Sequence, residues 1–286
     1  MPDNNNAPGL FEFDYIVAGA GTAGCLLANR LSANPETRVL LIEAGGRDNY
    51  HWIHIPVGYL YCINNPRTDW CFRTEPAPGL NNRSLIYPRG KTLGGCSSIN
   101  GMLYIRGQAR DYNRWAEITG DDAWNWNNCL PDFMRHEDHH GLDAGDHKDS
   151  THKLFHGHGG EWRVERQRLK WKVLEDFAEA AVQAGVPRTS DFNRGDNEGV
   201  DYFEVNQRAG WRWNTSKAFL RSASKRRNLT VWHSTQVLSL EMNTDGEQPR
   251  CTGVRVARAS SGEQTLARAS REVILSAGSI GSPQLL

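Results

Sequence analysis

The chain has 286 residues, 38% hydrophobic and 23% charged, which suits a soluble globular protein of one large domain or two smaller ones. Its 33 basic and 33 acidic residues give zero formal net charge, so nothing attracts nucleic acid or an anionic membrane in general. No run approaches the roughly 18 apolar residues of a membrane span, and the N-terminus lacks the basic and apolar segments of a signal peptide. We therefore expect a cytoplasmic protein with six reduced cysteines.

The first 42 residues predict a strand, a helix and a second strand. Phe13–Ala18 is a short apolar run, Thr22–Ser32 has apolar residues on one helical face, and Arg38–Ile42 is a second apolar run. Near-continuous apolar strands are typical of a parallel sheet that is covered on both faces. The predicted fold class is therefore α/β, with a Rossmann-like βαβ unit at its start.

A glycine motif lies between the first strand and the helix. Gly19 permits a tight turn, Gly21 lets the backbone approach a pyrophosphate, and Gly24 lets helix and strand pack closely. The helix N-terminus offers N–H groups to phosphates, and Glu43, at the end of the second strand, can accept hydrogen bonds from ribose hydroxyls. A tight turn in an unrelated α/β protein is the weaker alternative. The unit alone does not distinguish FAD from NAD.

A second glycine-rich block covers residues 90–107. Backbone N–H groups of Gly94, Gly95 and Cys96 could donate to phosphate or flavin oxygens, and Asn100 can both donate and accept at a flavin edge. A phosphate-binding Walker A loop is excluded, because Leu85 stands where that loop needs glycine.

The C-terminal third predicts strands at Leu229–Leu240, Val254–Val256 and Glu272–Ser276, and a helix that begins at Ser282. Trp171 to Ala181 predicts a further helix with one apolar face. A chain that ends so soon after a buried strand is expected to be an N-terminal fragment.

Three segments together resemble one family. The block at residues 90–107 resembles the first signature of the glucose–methanol–choline (GMC) oxidoreductases, the opening glycine motif with "RLS" and "LLIEAG" is similar to their N-terminus, and residues 278–286 resemble the first half of their second signature. The resemblance implies an FAD-binding domain at residues 1–154 and 226–286, with residues 155–225 in a substrate domain.

The resemblance also implies which residues contact the flavin cofactor: Gly19, Gly21, Gly24, Glu43, Cys96, Asn100, Gly101 and Leu103. Val237 matches the position whose backbone pairs with adenine, and Ala277 and Gly278 match the turn near the adenosine end. Cys96 replaces the family's usual Ser or Thr. Ile99 stands where some members carry a histidine bonded to FAD, so FAD is expected to bind non-covalently.

The activity that the resemblance implies is hydride transfer from the CH–OH carbon of an alcohol, choline-like or primary, to flavin N5, with oxygen or a quinone as electron acceptor. The family's base is a histidine, paired with a second His or Asn, in the C-terminal part. We therefore expect no catalytic residue before Leu286. A non-catalytic flavin-binding module is the alternative function.

Three other features of the sequence are candidates for a site. The histidines between residues 136 and 158 could bind a metal, but this polar stretch predicts a solvated loop and no metal site; they are His136, His139, His140, His147, His152, His156 and His158. A calcium loop at Asp191–Asp196 is excluded, because Gly195 stands where a ligand belongs. Trp70 either walls the substrate cavity or packs in the core.

Overall fold

The computed structural model describes residues 11–143 and 151–286, so His147 lies outside the described residues. The strands are β1 Phe11–Ala18, β2 Val39–Ile42, β3 Phe72–Arg73, β4 Ile86–Tyr87, β5 Glu137–His139, β6 Trp162–Arg166, β7 Glu204–Val205, β8 Gln207–Arg208, β9 Trp211–Arg212, β10 Leu229–Trp232, β11 Thr235–Asn243, β12 Arg250–Arg258 and β13 Gln264–Leu275. The α-helices are α1 Thr22–Leu31, α2 His51–His54, α3 Tyr59–Cys62, α4 Ala109–Thr119, α5 Trp126–His136, α6 His140–Asp143, α7 Lys172–Gln183, α8 Arg221–Ala223 and α9 Gly278–Leu285.

The chain divides into two compact units. The first consists of Met1–Gly101 and Asn214–Leu286, and the second of Met102–Trp213. These boundaries differ from the predicted ones at residues 154 and 225. The predicted boundary at residue 154 would separate β5 from β6, which lie in one sheet with β7. The assignment of a cofactor domain and a substrate domain stays a prediction.

The first unit is built on a six-stranded sheet in the order β10-β2-β1-β13-β12-β11. The first four strands are parallel, whereas β12 pairs antiparallel with both β13 and β11. The predicted α/β class and βαβ unit are confirmed, and the two antiparallel strands at one edge are an addition to the predicted parallel sheet.

The core of this sheet explains why its central strands are apolar. Ile16, Leu40 and Val254 are buried within one apolar cluster, and all four residues of β2 are buried. Phe11 packs edge-on against Trp232, with ring centroids 5.0 Å apart. A strand covered on both faces has no position for an exposed polar side chain, so β2 shows no alternation.

Two predicted elements near the C-terminus were wrong in their bounds. The predicted strand Leu229–Leu240 is two strands, β10 and β11, separated at Ser234, whose φ of +53° is the left-handed conformation. The last helix begins at Gly278 and not at Ser282, directly after β13. The other predicted strands are longer than expected, since antiparallel pairing extends β12 and β13 beyond their apolar segments.

The second unit contains a three-stranded sheet in the order β5-β6-β7, the β8–β9 pair and the helices α4 to α7. Helix α7 agrees with its predicted range within two residues, but its predicted apolar face is largely exposed: Phe177 is 68% exposed, and Ala178 is buried. Across residues 11–143 and 151–286, none of the helices has the length and apolar character needed to cross a lipid bilayer.

Candidate cofactor site

Two glycines of the first motif are required by contacts within the first unit. Gly19 has a φ of +102°, and a Cβ atom there would lie 2.5 Å from the carbonyl oxygen of Ser276. A Cβ atom on Gly24 would lie 1.9 Å from the carbonyl oxygen of Gly19. Both distances are far below van der Waals contact, so any larger residue would separate α1 from the loop that it follows.

Gly21 differs, because a Cβ atom there would have no protein atom closer than the Ser276 carbonyl oxygen at 4.0 Å. Gly21 is the N-cap of α1, no side chain caps this helix, and its first turn has no acidic residue. The N–H groups at the start of α1 therefore lack the side-chain acceptor that usually satisfies them. Such a helix end is a favourable place for an anion.

The second glycine block contacts the first through the backbone. Gly94 and Gly95 have φ values of +87° and +53°, and the Gly94 N–H donates to the Ala20 carbonyl oxygen at 2.8 Å. A Cβ atom on Gly95 would lie 2.7 Å from the Cα atom of Gly21. The two motifs, about 70 residues apart in sequence, thus form one glycine-rich surface.

Glu43 is buried at the end of β2 and is held by two backbone groups. Its Oε2 accepts the Ala20 N–H at 3.0 Å, and its Oε1 accepts the Gly45 N–H at 2.8 Å. Burial raises the pKa of this carboxyl to about 7, and the two N–H groups and the Lys91 charge offset only part of the effect. The side chain is therefore fixed in orientation at the point where the sequence predicts a ribose contact.

Most of these residues line one cavity of about 590 Å³ in the first unit, within the roughly 300–1,000 Å³ of typical ligand sites. Ala18, Ile42 and Leu275, the last residues of β1, β2 and β13, line its base. The cavity thus lies at the carboxyl ends of parallel strands, where open α/β sheets bind ligands.

Most of the predicted cofactor residues line this cavity: Gly19, Gly21, Glu43, Gly95, Cys96, Val237, Ala277 and Gly278. The Cys96 thiol is exposed there, and its Sγ accepts the Gly90 N–H at 3.4 Å. At the opposite wall, the Thr235 N–H donates to the Glu43 carbonyl oxygen at 2.9 Å, which fixes the start of β11 beside β2.

The remaining predicted residues do not line it. Gly24 and Gly94 make close backbone contacts within the two glycine loops and do not face the cavity. Asn100 and Gly101 are exposed and belong to the first unit. Leu103 belongs to the second unit, where its side chain is 55% exposed. The flavin contacts of Asn100, Gly101 and Leu103 stay predictions.

Several cavity residues were missed in the sequence, among them Arg89 and Gln236. Arg89 lines the cavity with its guanidinium 4.0 Å from the centre of the Tyr87 ring, and Gln236 lines it from β11. Arg89 directly precedes the glycine block, so the limits drawn for the motif excluded it. Nothing in the sequence around Gln236 distinguished it from a surface strand residue.

Trp70 lines the same cavity and is half-buried. Its indole stacks on Phe72 with a centroid distance of 5.7 Å and an interplanar angle of 5°, and Lys91 Nζ lies 4.6 Å from the ring centre. Of the two alternatives, the geometry favours a cavity wall over a packed core position. Its contact with a substrate stays a prediction.

The prediction of a solvated histidine stretch was wrong for His139 and His156, whereas His158 is exposed as expected. His139 and His156 are 1% and 2% exposed in the second unit. His156 bridges two carboxylates, with Nδ1 3.1 Å from Glu137 Oε2 and Nε2 2.8 Å from Asp191 Oδ2. Burial lowers the pKa of His156, but these carboxylates outweigh it and raise the pKa to about 9.

Arg106 completes this ionic network. Its Nη2 lies 2.8 Å from Glu137 Oε1, and both side chains are fully buried. Its Nε donates to the Tyr104 hydroxyl at 3.0 Å. This network is not recognisable in the sequence, because its members are polar and lie up to 85 positions apart, from Arg106 to Asp191.

Comparison with known proteins agrees with this geometry. The family described as GMC oxidoreductase matches residues 13–286. An alcohol dehydrogenase [acceptor] from Pseudomonas putida is 40% identical over 277 residues, covering 96% of this chain and 47% of the relative. An oxygen-dependent choline dehydrogenase from Photobacterium profundum is 41% identical over 274 residues, covering 96% of this chain and 46% of the relative.

The solved structures of two oxidases match the fold of this chain. The crystal structure of pyridoxine 4-oxidase from Mesorbium loti matches with a TM-score of 0.86 and 31% identity, covering 96% of this chain and 51% of the other. A structure of Aspergillus oryzae formate oxidase, concerned with FAD modification, has a TM-score of 0.85 and 27% identity, covering 98% of this chain and 48% of the other. The chain thus spans about half the length of the relatives it matches.

Proposed function

We propose, since this chain belongs to the GMC oxidoreductase family, that its first unit holds FAD in the cavity at the carboxyl ends of β1, β2 and β13. FAD is the cofactor of this family, and when bound it supplies the acceptor for a hydride from the substrate. The observation that carries the proposal is the joint surface of the two glycine motifs, where Gly95 touches Gly21 and the N-terminus of α1 lacks a capping side chain.

The residues of this surface have separate roles in the proposal. The first-turn N–H groups of α1 and the backbone of Cys96 donate to the diphosphate, and Gly21 leaves the room for its approach. Glu43 accepts from the adenosine ribose, and the backbone of Val237 pairs with adenine. The half-buried indole of Trp70 borders the substrate side of the cavity.

Non-covalent binding is part of the proposal. Ile99 is 3% exposed and packs in an apolar cluster with Ile53 and Cys62, so this position offers no nucleophile to the flavin. The purified protein should be yellow and should release intact FAD to the supernatant on acid denaturation. Flavin that remains with the precipitate would contradict non-covalent binding.

For the whole protein we propose the oxidation of an alcohol CH–OH group, choline-like or primary, with oxygen or a quinone as electron acceptor and a cytoplasmic location. The support is the pair of relatives named as alcohol and choline dehydrogenases. The base that takes the hydroxyl proton is proposed to lie in the family's C-terminal part, so the present residues bind and position the cofactor.

The decisive experiment is anaerobic bleaching of the flavin by a panel of alcohols, followed at the flavin absorption band of the full-length protein. Bleaching by choline or by a primary alcohol supports the enzyme, and repetition with oxygen or a soluble quinone identifies the acceptor. A protein that retains FAD but is bleached by no alcohol in the panel would favour a non-catalytic flavin-binding module.

A further inference from the structure

We propose that His139, His140 and Glu204, in the second unit, bind a divalent first-row transition-metal ion of the Zn²⁺ type. Three ligand atoms from these residues converge within 4.8 Å of one another. Two imidazoles and a carboxylate are a donor set that zinc and its neighbours in the first transition row accept. The proposal replaces the sequence-based expectation that this stretch binds no metal.

The distances between these atoms suit a shared ion. Glu204 Oε1 lies 2.9 Å from His139 Nε2 and 3.1 Å from His140 Nε2. Two ligand atoms on one zinc ion are ~2.9 Å apart at a right angle and ~3.3 Å apart at the tetrahedral angle, for bond lengths of about 2.0–2.1 Å. Two of the three separations are therefore already those expected around one zinc ion, and the third is at most 4.8 Å.

The contact between His139 and Glu204 is close, but its geometry is not that of a well-aligned hydrogen bond. His139 is 1% exposed, and its Nε2 is one of the buried atoms that lack a hydrogen-bond partner among the described residues. The 2.9 Å separation of His139 Nε2 and Glu204 Oε1 is within hydrogen-bonding distance, so the angle at the ring nitrogen is what is unsuitable. The carboxylate oxygen therefore lies to one side of the direction in which this nitrogen points. An ion on that axis would occupy the nitrogen lone pair and keep the oxygen at this distance.

Neighbouring groups orient two of the three ligands, Glu204 and His139. Asn193 Nδ2 approaches the other oxygen of Glu204 at 3.4 Å, which leaves Oε1 toward the histidines. His152 Nε2 lies 3.2 Å from His139 Nδ1 and can accept its proton in the tautomer that binds a metal through Nε2. That tautomer gives up the contact between the Gly141 N–H and His139 Nδ1, now 3.1 Å long.

A second set of atoms also converges, from His139, His152 and His156. We favour the first set, because both ring nitrogens of His156 already face carboxylates, at Glu137 and Asp191. A metal there would have to displace one of two buried ion pairs. At the first set, the partial exposure of His140 and Glu204 also leaves a path for the ion and for a water ligand.

The test is calorimetric titration of Zn²⁺ into chelator-treated full chain that carries no polyhistidine tag. One ion per chain should bind with a Kd of about 10 μM or tighter. His140→Ala, which removes the most exposed ligand, should weaken binding by at least ~100-fold, and His152→Phe by about 10–100-fold. The matched control is His158→Ala, an exposed histidine of the same stretch, which should leave the Kd within about twofold of the wild type.

Glu204→Gln keeps the shape of the side chain and should also weaken binding strongly, so the proposal stays testable if His140→Ala fails to fold. Melting temperatures of the metal-free variants check that the second unit is intact. Absence of binding to the wild type at 100 μM Zn²⁺ (about 10 times the expected Kd), or equal losses in His140→Ala and His158→Ala, would overturn the proposal.

Discussion

Replacement of Gly21 by alanine should weaken FAD binding without damaging the fold. The backbone of Gly21 is extended, with φ and ψ of −75° and −159°, so alanine meets no left-handed strain there. The added methyl would meet no protein atom closer than 4.0 Å, but it would project into the cavity where the diphosphate is proposed to approach the backbone.

The expected changes in stability and in FAD affinity differ, because the methyl group meets no close protein atom in the apoprotein but would meet the diphosphate in the complex. In the apoprotein, alanine restricts the unfolded chain, a gain of about 0.4–1 kcal/mol, and is a poorer N-cap than glycine, a loss of similar size. The free energy of unfolding should therefore change by less than about 1 kcal/mol. A methyl forced into a close contact costs about 1–3 kcal/mol, so the Kd for FAD should rise about 5- to 150-fold.

The assay is fluorescence titration of flavin-free protein with FAD, with urea unfolding of the same apoprotein samples. Gly24→Ala is the matched control, because its methyl would lie 1.9 Å from the Gly19 carbonyl oxygen. It should lower both the stability and the affinity. If Gly21→Ala bound FAD with the wild-type Kd, the assignment of the diphosphate to this loop would be refuted.

Two further predictions concern buried charges. Burial raises the pKa of Glu43 from 4.5 to about 7, so the folded apoprotein holds this proton more tightly than the unfolded chain does. The contribution of the bound proton to the free energy of unfolding is fully present below pH 4.5. About 3 kcal/mol of it is lost as the pH rises to 7. Urea unfolding at pH 5 and pH 7 should show that Glu43→Gln loses this dependence, and an unchanged slope would contradict the cause. Arg106→Met leaves the buried carboxylate of Glu137 without its 2.8 Å partner, so urea unfolding should show a loss of about 3–5 kcal/mol in the free energy of unfolding. The double variant with Glu137→Met should restore part of this loss. A loss below about 1 kcal/mol would indicate that solvent reaches the pair.

The cavity proposed for FAD was largely predictable because its signals are local. The spacing of Gly19, Gly21 and Gly24 places a turn at the start of a helix, and the apolar run before Glu43 places that carboxylate at the end of the neighbouring strand. Both follow from backbone geometry within about 25 residues. The strand break at Ser234 was missed, because the polar residues 233–236 can also belong to a strand with one exposed face, and only the positive φ of Ser234 marks the turn.

The prediction of solvent exposure for the histidine stretch failed for a different reason. Its residues are polar, and composition alone predicts solvent exposure for them. Their burial depends on Arg106, Asp191 and Glu204, which the fold of the second unit brings to Glu137, His139 and His156. Charge pairing between distant segments has no periodicity along the chain, so only the tertiary structure reveals it.

The position of β1 in its sheet has a consequence for how the chain is made. One neighbour, β2, follows within about 20 residues, but the other, β13, begins roughly 250 residues later, a delay of about 12–50 s at typical rates of synthesis. Throughout that interval the apolar edge of β1 has no partner on the ribosome-bound chain and can pair with another nascent strand. Yield of soluble protein should therefore depend on holdase chaperones and on growth temperature during translation more than on the final stability of the fold.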